Sequence, residues 1–557
     1  MTTNILYIQP FESFGNVRFL TECLPRISSY LNSKRSELEY NIEEEYLDLR
    51  CENLPRYCPE NIDSYREDLK ELLCSIYERF KFDIAAISCY TSFTYLNSLE
   101  VANMIKHFIN PSCYIIVGGF HPSVFPKDFY PKSIPSYFDK FYPKNTTPID
   151  YIVIDEGEIP FFHFIKDVQK GIKKTKKKLK DKPIILEREL VENLDDLPLI
   201  DINLFRKYEE IINSKEEFYI LFTRGCLFRC KFCPPSENYM ESYKMVRYKS
   251  VDKCISEIKK IINTEWLSQN LKTLMIMDNV LFPKKSQRAQ FFKELEKINK
   301  KKRRPSLKIY TLDRIDVCSI EDLENYKRFN MFPAFGLETG SPTLLCRIGK
   351  IPGNDSLEKA KDYLQKTEDL IKKANEIDTP IIFFYMGAIP GSDKTTIKEN
   401  TDFFFGKRFE GKSLVEKYKV KLEFQKFANF PGNTLYDRDG RDLGSINYFK
   451  KWWKIFDKEQ ALYSAIIKPS KDMSFTEAMK YFIDFLGKLY KAQIKLRNPS
   501  YNLSDYLWHR KLYERMIRIY DNKVAINKKK LSIQICYSLV IFSYLFIYLS
   551  LFRVLKW

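Results

Sequence analysis

The chain has 557 residues, 44% of them hydrophobic, which is too long for one ordinary domain and too apolar for a disordered polymer. Its net charge of +18 comes from lysine and arginine spread along the whole length, so it marks no nucleic-acid patch by itself. Thirteen cysteines behind the opening MTTNILYIQPF argue against a disulfide framework and a secretory leader, leaving thiols free in a reducing cytosol for a metal or cluster site.

Residues 1–170 alternate short apolar runs with amphipathic stretches. NILYIQP, EEYLDL, DIAAISCY, CYIIVGGFHP and DYIVIDEGE read as strands, with helical patterns such as NSLEVANMIKHFI between them. The alternation predicts an α/β unit with a Rossmann-like open parallel sheet, whose ligands sit over the carboxyl ends of the strands. Those ends carry Gln9-Pro10, Ser88 to Ser92, Gly118-Gly119 and Asp155 to Glu158. Gly118 and Gly119 would let a flat ligand lie close to the backbone.

Residues 171–215 read as a connector: the charge run KKTKKKLKDKP, then the extended NLDDLPLIDINLF. From 216 to 440 the alternation resumes, with strands predicted in FYILFTR, LKTLMIMDN, SLKIYTLDR, FPAFGLETG, IIFFYMGAIPG and VKLEFQKFANFPG. Six βα units predict a partial (β/α)6 barrel with its active site at the carboxyl ends of the strands. Residues 441–530 turn helical and aromatic, as in YFKKWWKIF, and read as a cap. Leu531 to Phe552 carry no charge and would span about 33 Å as a helix. With Lys528, Lys529 and Lys530 in front, this stretch is expected to be a transmembrane helix that anchors cytoplasmic catalytic domains; a buried core helix is the alternative.

The most specific stretch is FTRGCLFRCKFCPP, Phe222–Pro235, which places Cys226, Cys230 and Cys233 in one loop directly after a predicted strand. A closed zinc site wants four ligands, commonly as two separated pairs. The next cysteine, Cys254, stands alone 21 residues on. Three thiolates can instead hold an iron–sulfur cubane and leave one iron open. The spacing Cys-x3-Cys-x2-Cys, with Phe232 before the last cysteine, resembles the signature of the radical S-adenosylmethionine (radical SAM) superfamily.

That resemblance implies a [4Fe-4S] cluster on Cys226, Cys230 and Cys233, whose open iron chelates S-adenosylmethionine and cleaves it reductively to a 5′-deoxyadenosyl radical. It places Phe232, Asp278, Asn279, Arg314, Glu338 and Ser341 around S-adenosylmethionine, with Lys350 beside them. Asn279 stands where the superfamily often has a second acid. MGAIPG and FANFPGNTLYD match its fifth- and sixth-strand turns, so the resemblance covers Phe218 to Asp437.

The sheet in front, with GGFHPSVFP after its fourth strand and DEGE after its fifth, resembles the cobalamin-binding subclass, in which Ser88, Gly118 and Gly119 would contact the corrinoid. The Asp-x-His-x-x-Gly motif that carries a cobalt ligand is replaced here by PFESFG, and His121 beside the glycines suits a turn. The implied activity is cobalamin-dependent methylation, or cyclisation or rearrangement, of an unactivated carbon in a small-molecule or lipid substrate. A ferredoxin or flavodoxin would donate electrons, and no nucleic acid is expected. Two alternatives stand beside it. One is a methylthiotransferase-like enzyme acting on RNA or protein, with a second cluster among Cys51, Cys58, Cys89 and Cys113. The other is a tail-anchored scaffold with a structural metal site.

Overall fold

In a computed structural model of the protein, residues 2–526 are described apart from 13–21, 172–181, 235–239, 269, 302–306, 354–355 and 438. Six strands form the first sheet: β1 (Thr2–Gln9), β2 (Asn41–Asp48), β3 (Ile84–Ser88), β4 (Tyr114–Gly118), β5 (Tyr151–Ile152) and β6 (Ile184–Ile185). They pair in parallel in the order β2-β1-β3-β4-β5-β6. Every residue of β3 is buried, as expected for a central parallel strand covered on both faces. The strand order reverses at β1, which gives this sheet the crevice of a doubly wound fold. β6 lies within the stretch read as a connector; two paired residues are too few to show any periodicity in sequence.

The second sheet contains β7 (Glu217–Ile220), β10 (Thr273–Ile276), β11 (Lys308–Asp313), β12 (Met331–Glu338), β13 (Ile382–Gly387) and β14 (Lys421–Lys426). All pair in parallel in the order β14-β13-β12-β11-β10-β7, so β7 and β14 remain edges and the six βα units form an open arrangement. Between β7 and β10, the two-residue strands β8 (Thr223–Arg224) and β9 (Arg247–Tyr248) make a small antiparallel clasp around the three-cysteine loop.

The C-terminal region covers the exposed edge of β14. Val420 N–H donates to Gln493 Oε1 at 2.9 Å and Leu422 N–H to the Tyr501 hydroxyl at 2.8 Å. These bonds satisfy donors that an uncovered edge strand would present to solvent. The long helix Phe475–Lys495 starts at a Ser474/Glu477 capping box and lays Phe482 and Phe485 against Tyr385 of β13, with ring centroids 5.8 and 4.9 Å away. The same region reaches the first sheet: Trp453 Nε1 donates to Asp128 Oδ2 at 2.7 Å, and Lys454 Nζ lies 2.8 Å from Asp128 Oδ1.

The expected transmembrane helix over Leu531 to Phe552 lies outside the described residues. Among the described residues, no helix is long and apolar enough to cross a membrane.

Candidate active site

The three-cysteine loop leaves the second sheet at β7 and is fastened on several sides. Gly225 has φ +80°, and a Cβ there would meet the carbonyl oxygens of Ser242 and Met245 at 2.9 Å and of Tyr243 at 3.0 Å. Glycine is therefore required one residue before Cys226. Lys231 N–H donates to Ile348 O at 2.9 Å, and Leu435 N–H donates to Lys231 O at 3.1 Å, which ties the loop to segments beyond β12 and β14. Cys233 N–H closes the turn on Cys230 O at 3.0 Å.

The three thiols lie close enough for their charges to act on one another. Burial pushes Cys233 up to about 12, with Cys230, Cys226 and Glu338 adding to the rise and a Tyr243 hydrogen bond opposing it. Burial raises Cys226 as well, with Cys230 contributing. Among the described residues, no three His, Cys, Asp or Glu side chains stand close enough to hold one metal ion, these three included. A single tetrahedral zinc would draw its sulfurs to about 3.8 Å from each other. A cubane carries each thiolate on a different iron and sets them wider apart. Two donors already point at the sulfurs: Arg314 Nη1 lies 3.5 Å from Cys230 Sγ and the Tyr243 hydroxyl 3.6 Å from Cys233 Sγ. The donor set fits a cluster on three thiolates.

The predicted strand-end residues divide into two groups. Arg314 stacks 3.6 Å over Phe228, pairs with both oxygens of Asp316 at 2.8 and 2.9 Å, and touches Cys230. Glu338 sits at the irregular end of β12 with φ +70°, paired to Lys350 Nζ at 2.9 Å; that ammonium lies 5.9 Å from the Phe232 ring. These residues gather around the loop. Asp278 and Asn279 hold the loop's entry through its backbone, and Ser341 is engaged away from it. Asp278 Oδ1 accepts from Phe222 N–H at 2.8 Å and Thr223 N–H at 3.0 Å, while its buried Oδ2 has no hydrogen-bond partner. Burial pushes Asp278 up to about 6 against those bonds. Asn279 Nδ2 donates to Gly225 O at 2.9 Å. Ser341 is fully buried and caps helix Pro342–Arg347, its Oγ accepting from Leu344 N–H at 3.0 Å and donating to Glu399.

A cavity of about 320 Å³ opens where the carboxyl edge of the first sheet meets this loop; Ser88, Gly118 and Gly119 line it from one side, Gly225 and Tyr243 from the other. Gly119 has φ +114°, and the space a side chain would need is taken by the Cys89–Tyr90 backbone at 2.8–2.9 Å. Its glycine thus serves the packing of the β3 and β4 loops. His121 is wholly buried, shares a 2.8 Å hydrogen bond with Ser92 Oγ and lies 4.8 Å from the Tyr95 ring; burial lowers its pKa, opposed by the Asp128 carboxylate 3.5 Å from Nε2.

The DEGE segment, expected at the ligand edge, is largely spent on joining the two sheets. Glu156 pairs with Arg224 at 2.9 Å and with Arg247, Glu158 pairs with Arg224, and Asp155 accepts from Glu241 N–H at 2.7 Å and Ser242 N–H at 3.1 Å. Sequence reading missed Arg224, Phe228 and Tyr243. Nothing in their spacing marks them, because their partners come from distant turns.

A second cavity of about 740 Å³ reaches the other flank of the loop, with Phe232 and Cys233 in its wall. Phe93, Met386, Phe424, Phe427 and Phe430 supply much of the remaining lining, and Trp508 stands at its margin, 61% exposed.

No protein-family model matches the chain. An uncharacterized methyltransferase of Pyrococcus horikoshii, PH0819, is 24% identical over 312 residues, 54% of this chain and 61% of that protein. Among solved structures, the cobalamin-dependent S-adenosylmethionine radical enzyme OxsB with aqua-cobalamin bound superposes with a TM-score of 0.54 at 16% identity, over 79% of this chain and 55% of that one. The radical S-adenosylmethionine methyltransferase TsrM from Kitasatospora setae, with cobalamin and a [4Fe-4S] cluster bound, gives 0.53 at 14% identity, over 80% of this chain and 78% of that one. The chain therefore spans less than two thirds of the length of PH0819 and of the cobalamin-bound OxsB. Its structural neighbours are cobalamin-dependent radical SAM enzymes, and their fold is the fold of this chain.

Proposed function

We propose that the protein is a radical SAM enzyme that uses cobalamin to methylate an unactivated carbon of a small, largely apolar substrate. One observation carries this reading: a loop with three thiols in eight residues, at the carboxyl ends of an open (β/α)6 sheet, lies beside a cavity shared with the glycine-bearing edge of a Rossmann-like sheet. When bound, a [4Fe-4S] cluster, S-adenosylmethionine and a corrinoid would supply radical generation and methyl transfer.

The residues of the chain have the remaining tasks of binding, orienting and drying the site. Cys226, Cys230 and Cys233 hold the cluster, with Arg314 and Tyr243 donating to two of the sulfurs. Glu338, Lys350 and Phe232 form the wall that S-adenosylmethionine meets, and Asp278 and Asn279 hold the loop in place behind it. Ser88, Gly118 and Gly119 contact the corrinoid without a histidine ligand from the β1 loop. The aromatic 740 Å³ cavity suits a hydrophobic substrate, consistent with a lipid or isoprenoid. A ferredoxin or flavodoxin is the expected electron donor. The apolar segment Leu531 to Phe552 supports a membrane-proximal site.

Anaerobic reconstitution with iron, sulfide and hydroxocobalamin tests the proposal. About four irons per chain, a bound corrinoid and 5′-deoxyadenosine after reduction are expected. Cys230→Ala should lose the cluster absorbance and the deoxyadenosine together. A wild-type protein that binds tetrahedral zinc there and cleaves no S-adenosylmethionine would overturn it.

A further inference from the structure

Tyr243 stands between the two candidate cofactor sites. Its ring lines the 320 Å³ cavity together with Ser88, Gly118 and Gly119, and its hydroxyl donates to Cys233 Sγ at 3.6 Å. The short helix Glu241–Lys244 that presents it is held from the first sheet by Asp155, itself at φ +70°, through the amides of Glu241 and Ser242. Arg188 Nε lies 3.2 Å from the same carboxylate. On the loop side, Cys226 N–H donates to Tyr243 O at 3.4 Å, and Arg229 lies 5.4 Å from the phenol ring. The side chain is thus fixed by both halves of the molecule, with its O–H aimed at one thiol.

We infer that Tyr243 is a positioning residue that keeps a hydrogen bond on the Cys233 thiolate and thereby raises the reduction potential of the cluster. The inference rests on the reading that Cys226, Cys230 and Cys233 hold a [4Fe-4S] cluster. Hydrogen bonds to cluster sulfurs raise the potential because the more negative, reduced state gains more from a donor than the oxidised state does. The phenyl ring adds no such preference, so the hydroxyl alone carries the effect.

The test uses the full chain, reconstituted anaerobically, in wild-type and Tyr243→Phe forms. Potentiometric titration followed by electron paramagnetic resonance should place the variant's midpoint lower. At a fixed potential, the ratio of oxidised to reduced cluster should rise about tenfold, which is about 59 mV for a one-electron couple. Resonance Raman adds a readout independent of activity: transfer to D2O should shift the Fe–S(Cys) stretches of the wild type by more than those of Tyr243→Phe, in which the Arg314 donor to Cys230 remains. Equal midpoints in both proteins, or wild-type stretches insensitive to D2O, would overturn the inference with the cluster assignment intact. If the variant takes up no iron, Arg314→Leu takes its place in the comparison: a D2O shift that survives without the guanidinium supports the Tyr243 donor, and its loss overturns the inference. A wild type that forms no cluster overturns the functional reading first, and this inference with it.

Discussion

Asp278 is buried in a wall that does not neutralise it. Folded, its carboxyl keeps the proton up to about pH 6; unfolded, it releases it near pH 4. A pKa raised by folding gives stability that is complete below about pH 4 and lost as pH rises to about 6. The loss is on the order of 3 kcal/mol and is flat above that. Asp278→Asn retains an oxygen for the Phe222 and Thr223 amides and removes the titration. Its melting temperature in the cofactor-free protein should therefore exceed the wild type's at pH 7.5, and the two should converge at pH 4.5. Equal pH profiles would count against a buried, shifted carboxyl. The residue scale is also where sequence reading succeeds and fails most sharply. Three cysteines in eight residues announce themselves because a shared centre needs them near each other in the chain. Tyr243 does not, because its approach to Cys233 depends on the Gly225 turn and on Asp155, 88 positions away in sequence. Ser341 was legible as a special position, but its hydroxyl is engaged as a helix cap.

Among the elements, all six strands of the second sheet were legible, since each is four to eight residues long and opens or closes on a turn signal. The two-residue strands β6 and β9 were not, because pairing alone defines them, and β8 was read as the end of the strand that begins at Phe218. The β8–β9 clasp nevertheless sets the exit angle of the cysteine loop, and Gly225 is its tightest point. A side chain there would sit at positive φ against three carbonyl oxygens within 3.0 Å. Gly225→Ala is expected to cost about 2–4 kcal/mol in denaturant unfolding and to lower iron uptake on reconstitution. An alanine variant with wild-type stability would mean that the turn is less constrained than its geometry indicates.

Across the whole molecule, the two sheets are joined by charges taken out of water. Arg224 is three-quarters buried and serves Glu156 and Glu158 of the first sheet from a position two residues before Cys226. Arg26 and Lys249 share Glu257 at 2.8 and 2.7 Å nearby. Removing one partner from such a cluster leaves uncompensated charge, so Arg224→Met should cost about 3–5 kcal/mol. Calorimetry should then show the two sheets melting as separate transitions, where the wild type shows one. A single transition at the wild-type temperature would assign the joint to other contacts. None of this was readable beforehand: DEGE and FTRG look like two unrelated loops until the fold brings them together.

The indole of Trp453 closes over His121 and Phe125, and its partner Asp128 lies 325 positions earlier in the chain. At about 5–20 residues per second, a ribosome needs roughly 16–65 s to bridge that interval. Throughout that time the nascent first sheet lacks the indole and the Lys454 ammonium, and only His121, 3.5 Å away, faces the Asp128 carboxylate. Timing during translation, and not only final stability, therefore bears on how much of this protein reaches its native state.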